Sequence, residues 1–177
     1  MKIDDTGAAP GRPANLVIQL ARFGDLIQTR RLIRSLQAVG ETHLLVDRSL
    51  AALARLVYPG VHVHGIAAHG THGPDIFGLV HGDLAPLFET GFHRVYNLNF
   101  SGLNFALAAM FEPGAVRGYR LEDGQRLVDS WPAQVMRWTR SRVAGGLNLV
   151  DVWGLYAEQP LAPEAVNPPA QPRGGGL

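Results

Sequence analysis

Short apolar runs alternate with segments of helical period along most of this chain, and that alternation limits its possible folds more than any other feature. The first run, Asn15–Leu20, has a β-branched centre and lies between Pro13 and Gly24, so it reads as a buried strand. Leu26, Ile27, Leu32, Ile33, Leu36 and Val39 then recur at helical spacing, with Gly40 as a stop. Thr42–Val46 reads as a second strand. The helix after it is capped by Ser49, carries Leu50, Leu53, Leu56 and Val57 on one face, and ends at Pro59-Gly60. Val61–Ile66 alternates as a third strand, and the glycine-rich stretch Ala67–Gly82, with Pro74, reads as a loop. A helix over Gly82–Glu89, a strand over Arg94–Leu98, a helix over Gly102–Phe111 and a short strand over Val116–Tyr119 follow. Gln125–Tyr156 reads as mostly helical, broken at Pro132 and at Gly145-Gly146.

Strand followed by helix, repeated, predicts a parallel sheet with helices on both faces, a Rossmann-like α/β fold. With 177 residues, 46% of them hydrophobic, the chain has the apolar content for one packed core. The expected organisation is a flexible leader over 1–14, one domain over 15–158, and a linker over 159–177. Residues 160–177 hold five of the twelve prolines and end in Arg173-Gly-Gly-Gly-Leu177. The longest apolar run, Phe105–Phe111, is far short of the roughly 20 residues of a membrane helix. The first thirteen residues are too polar for a signal peptide, so a cytoplasmic location is expected. A net charge of +1 disfavours a nucleic-acid surface, and the absence of cysteine excludes disulfides, thiolate metal sites and cysteine nucleophiles.

The turn between the first strand and its helix, Leu20–Thr29, carries the most chemistry. Ligands of open α/β sheets collect at the carboxyl ends of strands. Gly24 lets the backbone turn tightly or approach a ligand closely. Asp25 falls in the first helical turn, where two readings compete. It is either a cap favoured by the helix dipole or a general base within reach of a substrate hydroxyl. No Gly-x-Gly-x-x-Gly fingerprint is present, and a carboxylate here would repel a pyrophosphate. Neither a Walker motif nor a Gly-x-Ser-x-Gly elbow occurs.

Three further groups stand out. Ser101 follows the fourth strand, either as a cap of the next helix or as a partner for a ligand hydroxyl. His62, His64, His69 and His72 cluster, with His62 and His64 on one strand face. Asp75 lies near them in sequence, but no neighbouring Cys or Glu completes a set, so no metal site is expected. Lys2 is the single lysine against fifteen arginines, six of which (Arg117, Arg120, Arg126, Arg137, Arg140 and Arg142) fall within 26 residues around Trp131 and Trp138. That segment reads either as a solvated helical face with packed tryptophans or as a surface for phosphate and carboxylate groups beside a stacking ring.

The segment Arg22-Phe23-Gly24-Asp25-Leu26-Ile27-Gln28-Thr29, placed after an apolar strand and before a helix, resembles the opening of glycosyltransferase family 9, the ADP-heptose:lipopolysaccharide heptosyltransferases. The family often has Leu-Pro after the Thr, where this chain has Arg30-Arg31. Leu44–Val46, Pro59–Val61, Tyr96–Leu98 with Ser101, Val116–Tyr119 and Asn148–Asp151 extend the resemblance in order over residues 15–158. It implies the N-terminal, acceptor-binding half of a GT-B enzyme that transfers heptose or a related sugar, with inversion and without a bound metal. The donor is a nucleotide sugar such as ADP-heptose, and the acceptor is a lipopolysaccharide core or similar glycan. By the same resemblance Asp25 is the catalytic base. Arg22, Phe23, Gly24, Thr29, Ser101, Arg120, Arg137 and Arg140 bind substrate, no cofactor beyond the donor is needed, and any contact with the inner membrane is peripheral. The donor domain would follow the linker, so residues 1–177 alone are expected not to turn over. The alternative is a standalone Rossmann-like binding module without catalysis.

Overall fold

The computed structural model describes residues 12–69, 78, 82, 84–141 and 148–167. Of the leader expected over 1–14, residues 1–11 lie outside the described residues and Ala14 belongs to the first strand; His72, Asp75, Arg142, the Gly145-Gly146 break and the tail from 168 onward also lie outside them. Strands β1 (Ala14–Gln19), β2 (Glu41–Asp47), β3 (His62–Ile66), β4 (Phe92–Asn97), β5 (Val116–Glu122) and β6 (Gln125–Val128) form one sheet in the order β3-β2-β1-β4-β5-β6. All pairings are parallel except β5–β6. The helices are α1 (Phe23–Gln28), α2 (Arg30–Val39), α3 (Ala51–Val57), α4 (Ala85–Glu89), α5 (Gly102–Ala108), α6 (Ser130–Ser141), α7 (Leu149–Gly154) and α8 (Pro163–Val166).

The expected α/β architecture is present, with apolar layers on both faces of the sheet. On one face Val17, Leu44, Val46 and Tyr96 pack under Leu26, Leu32, Ile33, Leu36 and Tyr58. On the other, Leu16, Ile18, Leu45 and Val95 meet Leu84, Leu87, Leu107 and Ala108. Each central strand therefore buries both its odd and its even side chains, which is why these runs read as continuously apolar.

Four local expectations change. The single helix expected over Leu26–Val39 is two, because the Thr29 hydroxyl (2.6 Å) and the Tyr58 hydroxyl (2.5 Å) both donate to the Leu26 carbonyl, which a continuous helix would give to Arg30. Ser49 does not cap the helix after β2; Asp47 caps the short turn that precedes it. Its side chain accepts from the Ser49 amide at 2.9 Å, a short 3-10 turn over Arg48–Leu50 follows, and α3 starts after it. Gln125–Val128 is an antiparallel strand rather than helix. Asp123 (φ 50) and Gly124 (φ 74) both adopt positive φ, the backbone of a two-residue hairpin turn that matches the twist of the strands it joins. Pro132 does not break a helix; it sits in the first turn of α6, where its missing N–H costs nothing.

Candidate functional site

The chain winds from β1 through β2 to β3 on one side, then resumes with β4 on the other side of β1. The switch point is thus the gap between β1 and β4 at their carboxyl ends, where neighbouring connections diverge and leave a crevice. A cavity of about 220 Å³ opens there, lined by Gln19, Asp25, Asn99, Phe100 and Tyr119, with Val135, Met136 and Trp153 of α6 and α7 closing one wall. A second cavity of about 330 Å³ is lined by Leu20, Ala68, His69, Asn99 and Ser101. Asn99 borders both, and its Oδ1 accepts from the Leu20 amide at 3.2 Å, tying the exits of β1 and β4 together.

Asp25 is half-buried in the first turn of α1. Its Oδ2 accepts from the Arg22 backbone amide at 3.2 Å, so it does cap its own helix. Its Oδ1 has no hydrogen-bond partner among the described residues, and the side chain lines the cavity. It is the only carboxylate among the described lining residues, which include no arginine, lysine or histidine. Tyr119 keeps its proton: burial raises its pKa, and its hydroxyl donates to Met136 Sδ at 3.2 Å. One acidic group in a wall of amides and rings suits an uncharged, hydroxyl-bearing ligand better than a phosphate.

Around this crevice the expected site residues separate. Arg22, Phe23 and Gly24 are exposed on the turn beside Asp25, with Phe23 58% and Phe100 66% accessible. Gly24 needs no special backbone here; it has ordinary helical φ, and a Cβ on it would meet nothing within 4 Å. Ser101 caps α5, accepting from the Asn104 amide at 3.2 Å and donating to Asn104 Oδ1 at 2.7 Å, at the rim of the second cavity. Beneath it Asn97 and Asn104 form a buried amide pair, with Asn104 Nδ2 donating to Asn97 Oδ1 at 3.1 Å and Asn97 Nδ2 to the Tyr119 carbonyl at 2.7 Å.

Thr29, expected to touch substrate, is fully buried between α1 and α2 and cannot reach the crevice. Arg120 also lies elsewhere. It pairs with Asp129 and, at 3.3 Å, with Glu122, and it lines a separate groove of about 520 Å³ with Arg117, Trp131 and Tyr156. Arg137 and Arg140 are exposed on α6 and do not line the crevice, and Arg126 covers the Phe105 ring at 5.1 Å. The arginine-rich segment therefore does not converge on one site, because it spans two strands of a hairpin and a helix. Trp131 is held structurally: its indole N–H donates to the Val152 carbonyl at 2.8 Å, and its ring meets Trp138 edge-on.

Sequence reasoning passed over Gln19, Asn99, Phe100 and Tyr119. Asn99-Phe100 leaves β4 just as Asp25's turn leaves β1, and the switch-point rule applied to β4 would have found them. It also missed Glu41 and His43. The parallel register sets His43 opposite His62, so a glutamate and a histidine distant in sequence join the expected histidine pair. No family model, curated protein or solved structure matches the chain.

Proposed function

We propose that this chain is the acceptor-binding part of an inverting glycosyltransferase. In this reading Asp25 takes the proton of an acceptor hydroxyl, whose oxygen attacks the anomeric carbon of a nucleotide sugar such as ADP-heptose. The new C–O bond forms on the face opposite the breaking bond to the diphosphate, which leaves as the nucleoside diphosphate. The proton ends on the Asp25 carboxylate. The observation that carries the reading is the half-buried carboxylate at the switch point, with one oxygen holding α1 and the other facing a cavity whose described lining residues carry no positive charge. Phe100 and Phe23 offer faces on which a sugar ring stacks, and Asn99 offers an amide to its hydroxyls. A lipopolysaccharide core or a similar glycan is the acceptor class, by the resemblance of residues 15–158 to glycosyltransferase family 9. The donor belongs to a second domain.

The test separates binding from chemistry. Saturation-transfer NMR of the chain with a heptose-containing core oligosaccharide is expected to show contacts that Phe100→Ala removes and Asp25→Asn keeps. In the protein joined to its donor domain, Asp25→Asn is expected to lower kcat by about 10²–10⁴ with KM for acceptor within a few-fold. One observation favours the binding-module alternative: Asp25 already has a structural task in capping Arg22. On that reading Asp25→Asn costs only stability, and oligosaccharide binds with no transfer in any context.

A further inference from the structure

The opposite, amino-terminal end of the sheet holds a cluster of metal-binding side chains that the sugar-transfer reading does not use. Glu41 and His43 lie two residues apart on one face of β2, and His62 is paired with His43 at the start of the edge strand β3. Glu41 Oε1 stands 3.0 Å from His43 Nε2 and 3.2 Å from His62 Nε2, and no two of these ligand atoms are more than 4.8 Å apart. We propose that Glu41, His43 and His62 bind a divalent transition-metal ion, with zinc the best match.

The spacing supports this. Ligands at about 2.0–2.1 Å around a tetrahedral zinc sit about 3.3 Å from one another, so two of the three edges are already near their bound length. Two imidazoles and one carboxylate select a borderline ion such as zinc over calcium or magnesium, which prefer shells of oxygen. Three protein ligands leave a fourth position for water.

His64 gives the cluster its second layer. It lies two residues beyond His62 on the same face, and His43 Nδ1 and His64 Nε2 share a hydrogen bond of 3.1 Å, with the two ring planes within 4° of each other. For His43 to ligate through Nε2 its remaining proton must sit on Nδ1, and His64 is placed to accept it. A ligating histidine generally has such a partner, which fixes its tautomer and orientation. Phe92 packs edge-on against His43 at 5.1 Å and holds the ring from the other side. Glu41 and His62 are exposed, so the ion has an open path in. A bound ion would clamp the edge strand β3 to β2.

Calorimetric titration of the 177-residue chain with zinc chloride alone tests the assignment. One equivalent is expected to bind with Kd of 1 μM or tighter. His62→Ala and Glu41→Gln, both exposed positions whose fold is checked by circular dichroism, are each expected to weaken binding at least tenfold. His64→Ala is expected to weaken it about tenfold through the orientation of His43, and His93→Ala, at a different surface, to leave it unchanged. At a hundredfold excess of zinc over Kd, Tm of the unmutated chain should rise by about 5 °C and that of Glu41→Gln should not. The absence of saturable binding, or an affinity that Glu41→Gln and His62→Ala leave intact, overturns the proposal. Either result would leave Glu41 as a hydrogen-bond partner of two imidazoles.

Discussion

Asp25 was visible in the sequence because a carboxylate at a strand-to-helix turn is conspicuous, and both of its sequence readings find geometry to act through. Gly24 beside it teaches the opposite lesson. Sequence suggested a tight turn, yet its helical φ and open surroundings give the chain itself no reason for glycine. Under the proposed function, bare backbone at this turn lets the acceptor approach closely. Gly24→Ala is therefore expected to raise stability by about 0.5–1 kcal/mol, the usual gain in a helix, and to weaken oligosaccharide binding more than tenfold. Denaturant titration and NMR titration read the two effects separately. Asp47 shows what a buried carboxylate does when it is fully partnered. Burial alone would raise its pKa, but the Ser49 hydroxyl and the amides of Ser49, His69 and Ala68 outweigh that and hold it below the usual carboxylate range. A depressed folded-state pKa means its contribution is complete above the unfolded value, about 4, and is lost as pH falls through the lower folded value. The stability difference between the unmutated chain and Asp47→Asn is expected to be about 1–2 kcal/mol at pH 7 and to shrink below pH 4. Urea denaturation across pH 3–7 measures it.

Among the elements, the strands were legible because each carries its own pattern of burial, whereas the contacts that lock helices together were not. Arg30-Arg31 read only as a departure from a family pattern. In the fold Arg31 is buried, with Nη1 donating to Asp151 Oδ1 at 2.7 Å and Nε to the Leu161 carbonyl at 2.8 Å, so it joins α2 to α7 and to the segment before α8. Gly154 makes room for it: a Cβ there would fall 2.3 Å from Arg31 Cδ. No local rule predicts a contact over that sequence distance. Gly154→Ala is expected to destabilise by about 1–3 kcal/mol through overpacking. Arg31→Met, which keeps the stem but strands Asp151 and the Leu161 carbonyl, should cost about 2–3 kcal/mol. Thermal unfolding of both variants measures these effects. The hairpin β5–β6 was missed for a different reason. Its second strand is short, polar and at the edge, so it has no apolar alternation, and Asp123-Gly124 is its one local turn signal.

Over the whole molecule, strand–helix alternation was enough to give a layered parallel sheet, and a parallel sheet fixes where a crevice opens. Alternation does not give strand order, and strand order decides everything assembled across strands. It sets β4 beside β1 and so joins Asn99 and Phe100 to Asp25, and it sets β2 beside β3 and so joins Glu41 and His43 to His62. The same order ranks the parts by stability. β1 is paired on both edges and covered on both faces, with Leu16, Val17 and Ile18 fully buried. β6 is paired on one side only, and its Gln125 and Arg126 are exposed. α8 is a single short turn held at its start by the Leu161 contacts to Arg31 and Ser35. Opening β1 requires disrupting both apolar layers, which amounts to unfolding the chain, whereas β6 and α8 open without touching either. Native-state hydrogen exchange is therefore expected to show the amides of Leu16, Val17 and Ile18 exchanging only with the free energy of global unfolding, as measured by denaturant. Those of β6 and α8 should exchange at least a hundredfold faster, by local opening. Asp25 hangs from the doubly paired, fully covered β1 through a turn of three residues, and Asn99 follows β4, the strand paired to it. Under the proposed function, residues carried by these two strands would keep their geometry while the rim opens, which is what a positioned proton acceptor requires. Equal protection of β6 and β1 would mean that the sheet opens as one unit and that the switch point has no rigidity of its own.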